Sequence, residues 1–211
     1  MILVGQFDSP FVRRVAVTLN YYHMPFTRNP LSVFGNFKLM QAINPLVRVP
    51  SLILETGETL VDSGAIIDCL DEMAGPARAL TPAHGPLRRK VLQAVVVATG
   101  ISEKAVATFF ERYFHDAKSI SKDWEKRCLT QITAALEKLE RDCSTPWFFN
   151  NHMSQADITI ACMIGHMKQR VPEAFPANKY PKLHALSLHC ETRDEFVKAR
   201  PSADETIPSR R

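Results

Sequence analysis

Asn44-Pro45-Leu46-Val47-Arg48-Val49-Pro50-Ser51-Leu52-Ile53-Leu54, followed by Glu55-Thr56-Gly57-Glu58 and then Val61-Asp62-Ser63-Gly64-Ala65-Ile66, is the stretch that decides the fold. A Val-Pro pair leads into a short apolar strand. The glycine-centred tetrapeptide reads as a hairpin turn, and the Asp-Ser pair stands at the start of a helix. This order places a proline loop and a helix N-terminus at the same end of a small sheet. The loop offers backbone edges to an extended peptide, and the helix end offers N–H groups to an anion. The expected ligand is peptide-like and carries a carboxylate.

Working outward, the elements before residue 80 alternate. Ile2–Val4 reads as a strand. Pro10–Tyr22 reads as a helix with Val12, Val15, Ala16 and Leu19 on one stripe. Phe26–Asn29 is a second strand, Phe37–Ile43 a short helix, 51–61 the hairpin and Ser63–Met73 a third helix. The run Ala74 to Pro86 holds three prolines and two glycines, which break both helix and strand and mark a domain boundary. Beyond it no strand pattern is found. Leu87–Phe114 reads as one long helix with Gly100 as a kink or close-packing point. Residues 122–143 carry a stripe of Trp124, Cys128, Ile132, Ala135, Leu136 and Leu139, and residues 155–168 are apolar nearly all round, as in a helix at the centre of a bundle. Short helices follow at 181–190 and 191–199, and the polar tail Pro201 to Arg211 reads as loose. The expected fold class is α+β: an α/β domain over residues 1–77, then an all-α domain over 87–200.

Composition excludes more than it assigns. The chain has 211 residues, 45% hydrophobic and 23% charged, with a net charge of +4, ordinary values for a globular protein. No basic stripe interleaved with aromatics appears, so nucleic acid is not the expected partner. The longest strictly apolar run, Ala94 to Ala98, is far short of a membrane span, and Met1-Ile2-Leu3-Val4 has no basic region ahead of it. Five scattered cysteines form no Cys-x-x-Cys pair, which argues against a disulfide framework and for a cytoplasmic location. His184 and His189 are five apart, the wrong spacing for one helix face, and no metal site is expected.

Four markers carry a family likeness. They are Ser9-Pro10-Phe11-Val12-Arg13-Arg14-Val15, Asn44-Pro45 with Val49-Pro50, Asp62-Ser63, and Ser154-Gln155-Ala156-Asp157-Ile158. In this order and spacing the chain resembles the glutathione S-transferase family from Met1 to about Arg200. The resemblance implies a thioredoxin-like N-terminal domain, an all-helical C-terminal domain and a homodimer. It also implies a cis Val49–Pro50 bond, glutathione as cosubstrate, and a hydrophobic electrophile as second substrate. By the same likeness the Val49 backbone pairs with the cysteinyl part of glutathione, and Ser63 with Asp62 holds its γ-glutamyl end. Arg48, and less directly Lys38, reach for the glycyl carboxylate. Phe109, Phe110 and Tyr113 on the long helix, with Phe11, line the pocket for the electrophile.

Each site residue also has a purely structural reading. Ser9-Pro10 is the preferred pair for an N-cap and first helical position, so Ser9 caps the first helix whatever else it does. The family resemblance adds that its hydroxyl faces the glutathione sulfur as the catalytic group. A helix end supplies roughly 0.3–2 kcal/mol, whereas lowering a thiol pKa by two units takes about 2.7 kcal/mol. A hydrogen bond from Ser9 makes up the difference. Asp62 and Ser63 are both good caps, and an N-terminus that needs a cap also binds a carboxylate. Ser154-x-x-Asp157 is a structural capping box. Arg13 and Arg14 read as salt-bridge partners of the second domain, Tyr21 and Tyr22 as packing or surface groups, and the three aromatics equally as bundle core or dimer contacts. Alternatives to a transferase are a non-catalytic interaction protein and a glutathione-dependent isomerase, dehalogenase or peroxidase.

Overall fold

The computed structural model describes residues 1–149, 152–202 and 205. The chain divides into two compact units, Met1–Ala83 with Thr192–Arg211, and His84–Glu191. The expected helical domain ran to residue 200. In the structure the final segment groups instead with the N-terminal unit.

The first unit is a four-stranded sheet with helices. In chain order come β1 (Ile2–Val4), α1 (Pro10–Tyr21), β2 (Thr27–Asn29), α2 (Phe37–Ile43), β3 (Ser51–Ile53), β4 (Thr59–Val61) and α3 (Ser63–Ala74). The spatial order is β2-β1-β3-β4, with β1 parallel to β2 and antiparallel to β3, and β3 antiparallel to β4. The stripe read on α1 is fully buried, and Leu3, Val4, Leu52, Ile66 and Leu70 complete its core. α1 also buries Arg13 and Arg14, which no apolar stripe announces. The Arg13 Nε donates to the carbonyl of Ala199 at 3.0 Å, and its guanidinium stands 5.8 Å from the Phe196 ring. Asn20 donates to the carbonyl of Glu195 at 3.0 Å, so α1 is the surface on which the last described helix, Asp194–Val197, is seated.

Tyr22 is neither surface nor simple packing. It is buried, its hydroxyl donates to Asp71 Oδ1 at 2.5 Å and accepts from the Leu80 N–H at 2.6 Å, and Asp71 Oδ2 accepts from Thr81 N–H at 3.2 Å. Burial, then the Asp71 carboxylate, raise the phenol's pKa. The middle of the proline-rich connector is thereby tied to the ends of α1 and α3.

The second unit is helical: α4 (Gly85–Phe114), α5 (Lys122–Asp142), α6 (Gln155–Arg170) and α7 (Pro181–Glu191), with two 3₁₀ turns at Pro172–Ala174 and Ala177–Lys179. α8 is the Asp194–Val197 helix of the first unit. By length and composition α4 could cross a membrane. Val91, Ala94, Val95, Ala98, Ile101, Ser102, Ala105 and Thr108 form its buried face, at helical spacing, and it packs on α5 and α6. A Cβ built at Gly100 meets nothing within 4 Å, so the expected close packing there is absent. On α5 the buried stripe is Cys128, Ile132, Leu136 and Leu139. Trp124, one turn earlier, is exposed, with the Lys104 ammonium 5.7 Å from its ring.

The capping box at Ser154 forms, and Asp157 does more than close it. Its Oδ2 accepts from the Ser154 N–H and hydroxyl, both at 2.8 Å, while Oδ1 accepts from the Phe148 N–H at 2.7 Å. One carboxylate therefore caps α6 and anchors the loop before it. Burial still pushes its pKa above the ordinary value, opposed by those three donors. All five cysteines are free, and burial drives the Cys143 thiol up to about 12.

Candidate functional site

The register of the sheet assembles the candidate site. Val4 pairs with Asn29 on one side and Ser51 on the other, and Ser51 pairs with Val61. These four residues form one row across the sheet, and each motif leaves from its end. The Gly5–Ser9 loop follows Val4, Val49-Pro50 precedes Ser51, and Asp62-Ser63 follows Val61. Segments more than 50 residues apart in sequence meet because strand pairing aligns their ends.

Ser9 caps α1 in extended conformation (φ −72°, ψ 124°), its Oγ accepting from the Val12 N–H at 3.4 Å. That distance is longer than the usual ~2.7–3.2 Å, so the cap bond is weak. It also uses only an oxygen lone pair. A hydroxyl carries one donor hydrogen besides its two acceptor sites, so capping leaves the donor role open. The structural and catalytic readings of Ser9 are compatible.

The Val49–Pro50 bond is cis. Asn44, buried, organises the loop ahead of it: its Nδ2 donates to the Arg48 carbonyl at 2.9 Å and its Oδ1 accepts from the Leu46 N–H at 3.0 Å. Val47 in this loop takes φ 51°. The motif reading saw Asn44 only as a marker, whereas it is the clamp that shapes the turn. Pro50 is buried, Val49 half-buried, and Arg48 and Lys38 exposed. Asp62 takes φ 71° and caps α3, its Oδ1 accepting from the Gly64 N–H at 2.7 Å, while Ser63 is buried. A carboxylate offers about four acceptor sites, so this bond leaves Asp62 able to accept from a cationic group as well.

Gly5 is a site residue that motif reading missed. Its φ is +128°, and a Cβ added there would lie 2.6 Å from Val12 Cγ2 and 3.0 Å from Val49 Cβ. The Ser9 loop, α1 and the Val49 loop therefore converge on a point where only a glycine fits. The sequence signal was available, since a glycine directly after a strand marks close backbone approach.

Phe11, on the first turn of α1, is half-buried. Phe109, Phe110 and Tyr113 belong to the helical unit, where they make an aromatic cluster on the last turns of α4. The Phe109–Phe110 and Phe109–Tyr113 ring centroids are 6.0 and 5.7 Å apart, and the Arg170 guanidinium lies 5.4 Å from the Phe109 ring. All three are half-buried rather than core.

Comparison with known proteins gives the family. Residues 3–78 match the family profile described as glutathione S-transferase, N-terminal domain, and residues 122–187 match glutathione S-transferase, C-terminal domain. The chain belongs to the glutathione S-transferase family. It is 28% identical over 203 residues to an uncharacterized GST-like protein, YibF, of Escherichia coli, covering 95% of this chain and 98% of that protein. It is 27% identical over 173 residues to a maleylacetoacetate isomerase of Pseudomonas aeruginosa, covering 80% and 78%. Among solved structures it is similar to a glutathione S-transferase of Methylobacterium radiotolerans in complex with glutathione sulfonate. That pair has a TM-score of 0.91 at 27% identity, covering 99% and 98% of the two chains.

Proposed function

We propose that this chain is a glutathione transferase in which Ser9 stabilises the thiolate of bound glutathione for attack on an electrophilic carbon. The observation that carries the reading is the Asn29–Val4–Ser51–Val61 row, which sets a hydroxyl, a peptide-pairing loop and a capped helix N-terminus at one end of the sheet. The extended main chain at Val49 pairs with the cysteinyl residue. Asp62 and the N-terminus of α3 take the ammonium and carboxylate of the γ-glutamyl end, with Ser63 contributing its hydroxyl and amide. Arg48 and Lys38, exposed near the other end of the tripeptide, meet the glycyl carboxylate. The site supplies thiolate stabilisation and positioning. By the family likeness, the apolar cosubstrate is assigned to the aromatic cluster of Phe109, Phe110 and Tyr113.

The structure of the Methylobacterium relative, with glutathione sulfonate, and that of a relative from Methylobacillus flagellatus with glutathione bound, at 25% identity and TM-score 0.88, support glutathione as the ligand. The family's dimeric habit supports a homodimer, and five free cysteines support work in the cytoplasm. Retention on glutathione-agarose together with conjugation of a chloro-nitroarene is the expected result. Failure of both would overturn the reading in favour of an interaction protein.

The maleylacetoacetate isomerase relative favours a second reading. A thiolate that adds to a conjugated double bond and then departs returns glutathione unconsumed. Retention on glutathione-agarose without conjugation, combined with cis–trans conversion of an unsaturated dicarboxylate, would select it.

A further inference from the structure

The tail, read as loose, contains a buried acid. The Glu205 side chain is 4% exposed, and its carboxylate is spent on two elements far away in sequence. Oε2 accepts from the Phe7 main-chain N–H at 3.0 Å and from the Ser202 N–H at 3.3 Å, and Oε1 is ion-paired with Arg28 of β2. The Arg28 guanidinium in turn lies 3.6 Å from the centroid of the Phe7 ring, which is itself buried. The rest of the tail, residues 203–204 and 206–211, lies outside the described residues.

Phe7 sits in the middle of the Gly5–Ser9 loop. On one side Gly5 N–H is held by the Asn29 carbonyl at 2.9 Å, and on the other the Ser9 N–H is held by the Gln6 carbonyl at 3.2 Å. A further anchor of the loop is the Phe7 N–H, and the group that takes it comes from 198 residues further along the chain. We infer that Glu205 is a positioning residue for Ser9: by accepting the Phe7 N–H and holding Arg28 over the Phe7 ring, it sets the loop that aims the Ser9 hydroxyl. A buried main-chain N–H must find an acceptor. A carboxylate acceptor makes such a bond roughly twice as strong as a neutral one. Without it the Phe7 amide turns toward water, and the loop two residues before Ser9 turns with it. A misplacement near 1 Å at a reacting group costs on the order of a hundredfold in rate.

The inference rests on Ser9 facing the glutathione sulfur, so the test has one arm independent of that reading. Glu205→Ala removes the acceptor. Glu205→Gln keeps an oxygen for the Phe7 N–H but loses the charge for Arg28, so it costs less stability than Glu205→Ala while isolating the loss of the ion pair. In the full-length protein, hydrogen exchange at the Phe7 amide is expected to accelerate by about tenfold or more in the Ala variant and to stay slow in the Gln variant. In parallel, the ultraviolet thiolate band of bound glutathione is titrated against pH. Its midpoint is expected to rise by roughly 0.5–1 unit in Glu205→Ala with kcat falling about tenfold or more, and glutathione KM changing less, whereas Glu205→Gln restores most of both. Unchanged Phe7 exchange in the Ala variant overturns the clasp itself. Faster exchange with an unmoved thiolate midpoint overturns the positioning role and leaves only tail docking. A wild type that shows no thiolate band defeats the transferase reading instead, and the exchange arm still decides the clasp.

Discussion

Replacing Ser9 separates its two roles, because they use different parts of one hydroxyl. As an N-cap it accepts a 3.4 Å bond from Val12 N–H. As a catalytic group it donates its hydrogen to a sulfur anion. A hydrogen bond to a charged group is worth roughly 1.5–3 kcal/mol, and one pKa unit corresponds to about 1.4 kcal/mol. Loss of the donor therefore raises the pKa of bound glutathione by ~1–2 units. Loss of the cap costs about 1 kcal/mol in Ser9→Ala but only a few tenths in Ser9→Gly, and the long cap distance favours the low end. Both variants are thus expected to show the same upward shift of the thiolate band and the same fall in conjugation rate at neutral pH, while only Ser9→Ala shows a lowered denaturation midpoint. Titration of the thiolate band, conjugation kinetics at neutral pH and urea unfolding read all three. A shift that tracks the stability loss, large in Ala and small in Gly, would refute the argument and reduce Ser9 to a cap. So would a thiolate midpoint that moves in neither.

Gly5→Ala drives a methyl to 2.6 Å from Val12 and 3.0 Å from Val49 at a φ of +128°, so a loss of ~2–4 kcal/mol and weakened glutathione binding are expected, read by thermal unfolding and calorimetry. Ser51 Oγ is fully buried in the central row and meets no hydrogen-bond partner among the described residues. Ser51→Ala should therefore raise stability by about 1 kcal/mol in denaturant unfolding, and a loss instead would show that the hydroxyl has a partner. Glu125 is held below its ordinary pKa by hydrogen bonds from Arg112 at 2.7 Å and Lys122 at 2.8 Å. Because the folded pKa is depressed, its contribution is full above the unfolded carboxyl value of about 4.3 and is lost as pH falls through the lowered folded value. Unfolding free energies measured between neutral and acid pH should fall less steeply in Glu125→Gln than in the wild type, and parallel curves would overturn this.

Much of this protein was legible along the chain because its signals are local. Ile2–Val4 and Phe37–Ile43 stand in the structure with the bounds their sequence implied, and Pro10–Tyr22 and Ser63–Met73 end within one residue of theirs. Capping residues, prolines and a clean apolar stripe set them, and all of these act within one or two turns. The errors fall where a residue's fate depends on distant partners. Trp124 fits the helical period and is exposed. Of the two readings of Gly100, a kink or a close-packing point, the second fails, because a side chain there would face open space.

The candidate site divides in the same way. Ser9, Val49-Pro50 and Asp62-Ser63 were each nameable, since a cap, a proline loop and a helix start are written in adjacent residues. That they share one end of the sheet follows from pairing register, a relation between strands that no single stretch contains. The convergence at Gly5, the Asn44 clamp and the long reach of Glu205 to Phe7 are likewise matters of which surfaces meet. Composition and motif order specify the elements and their chemistry, because propensity and capping are short-range. The aim of a hydroxyl and the burial of a tail carboxylate depend on packing between segments up to 198 residues apart, and were settled only when the chain closed on itself.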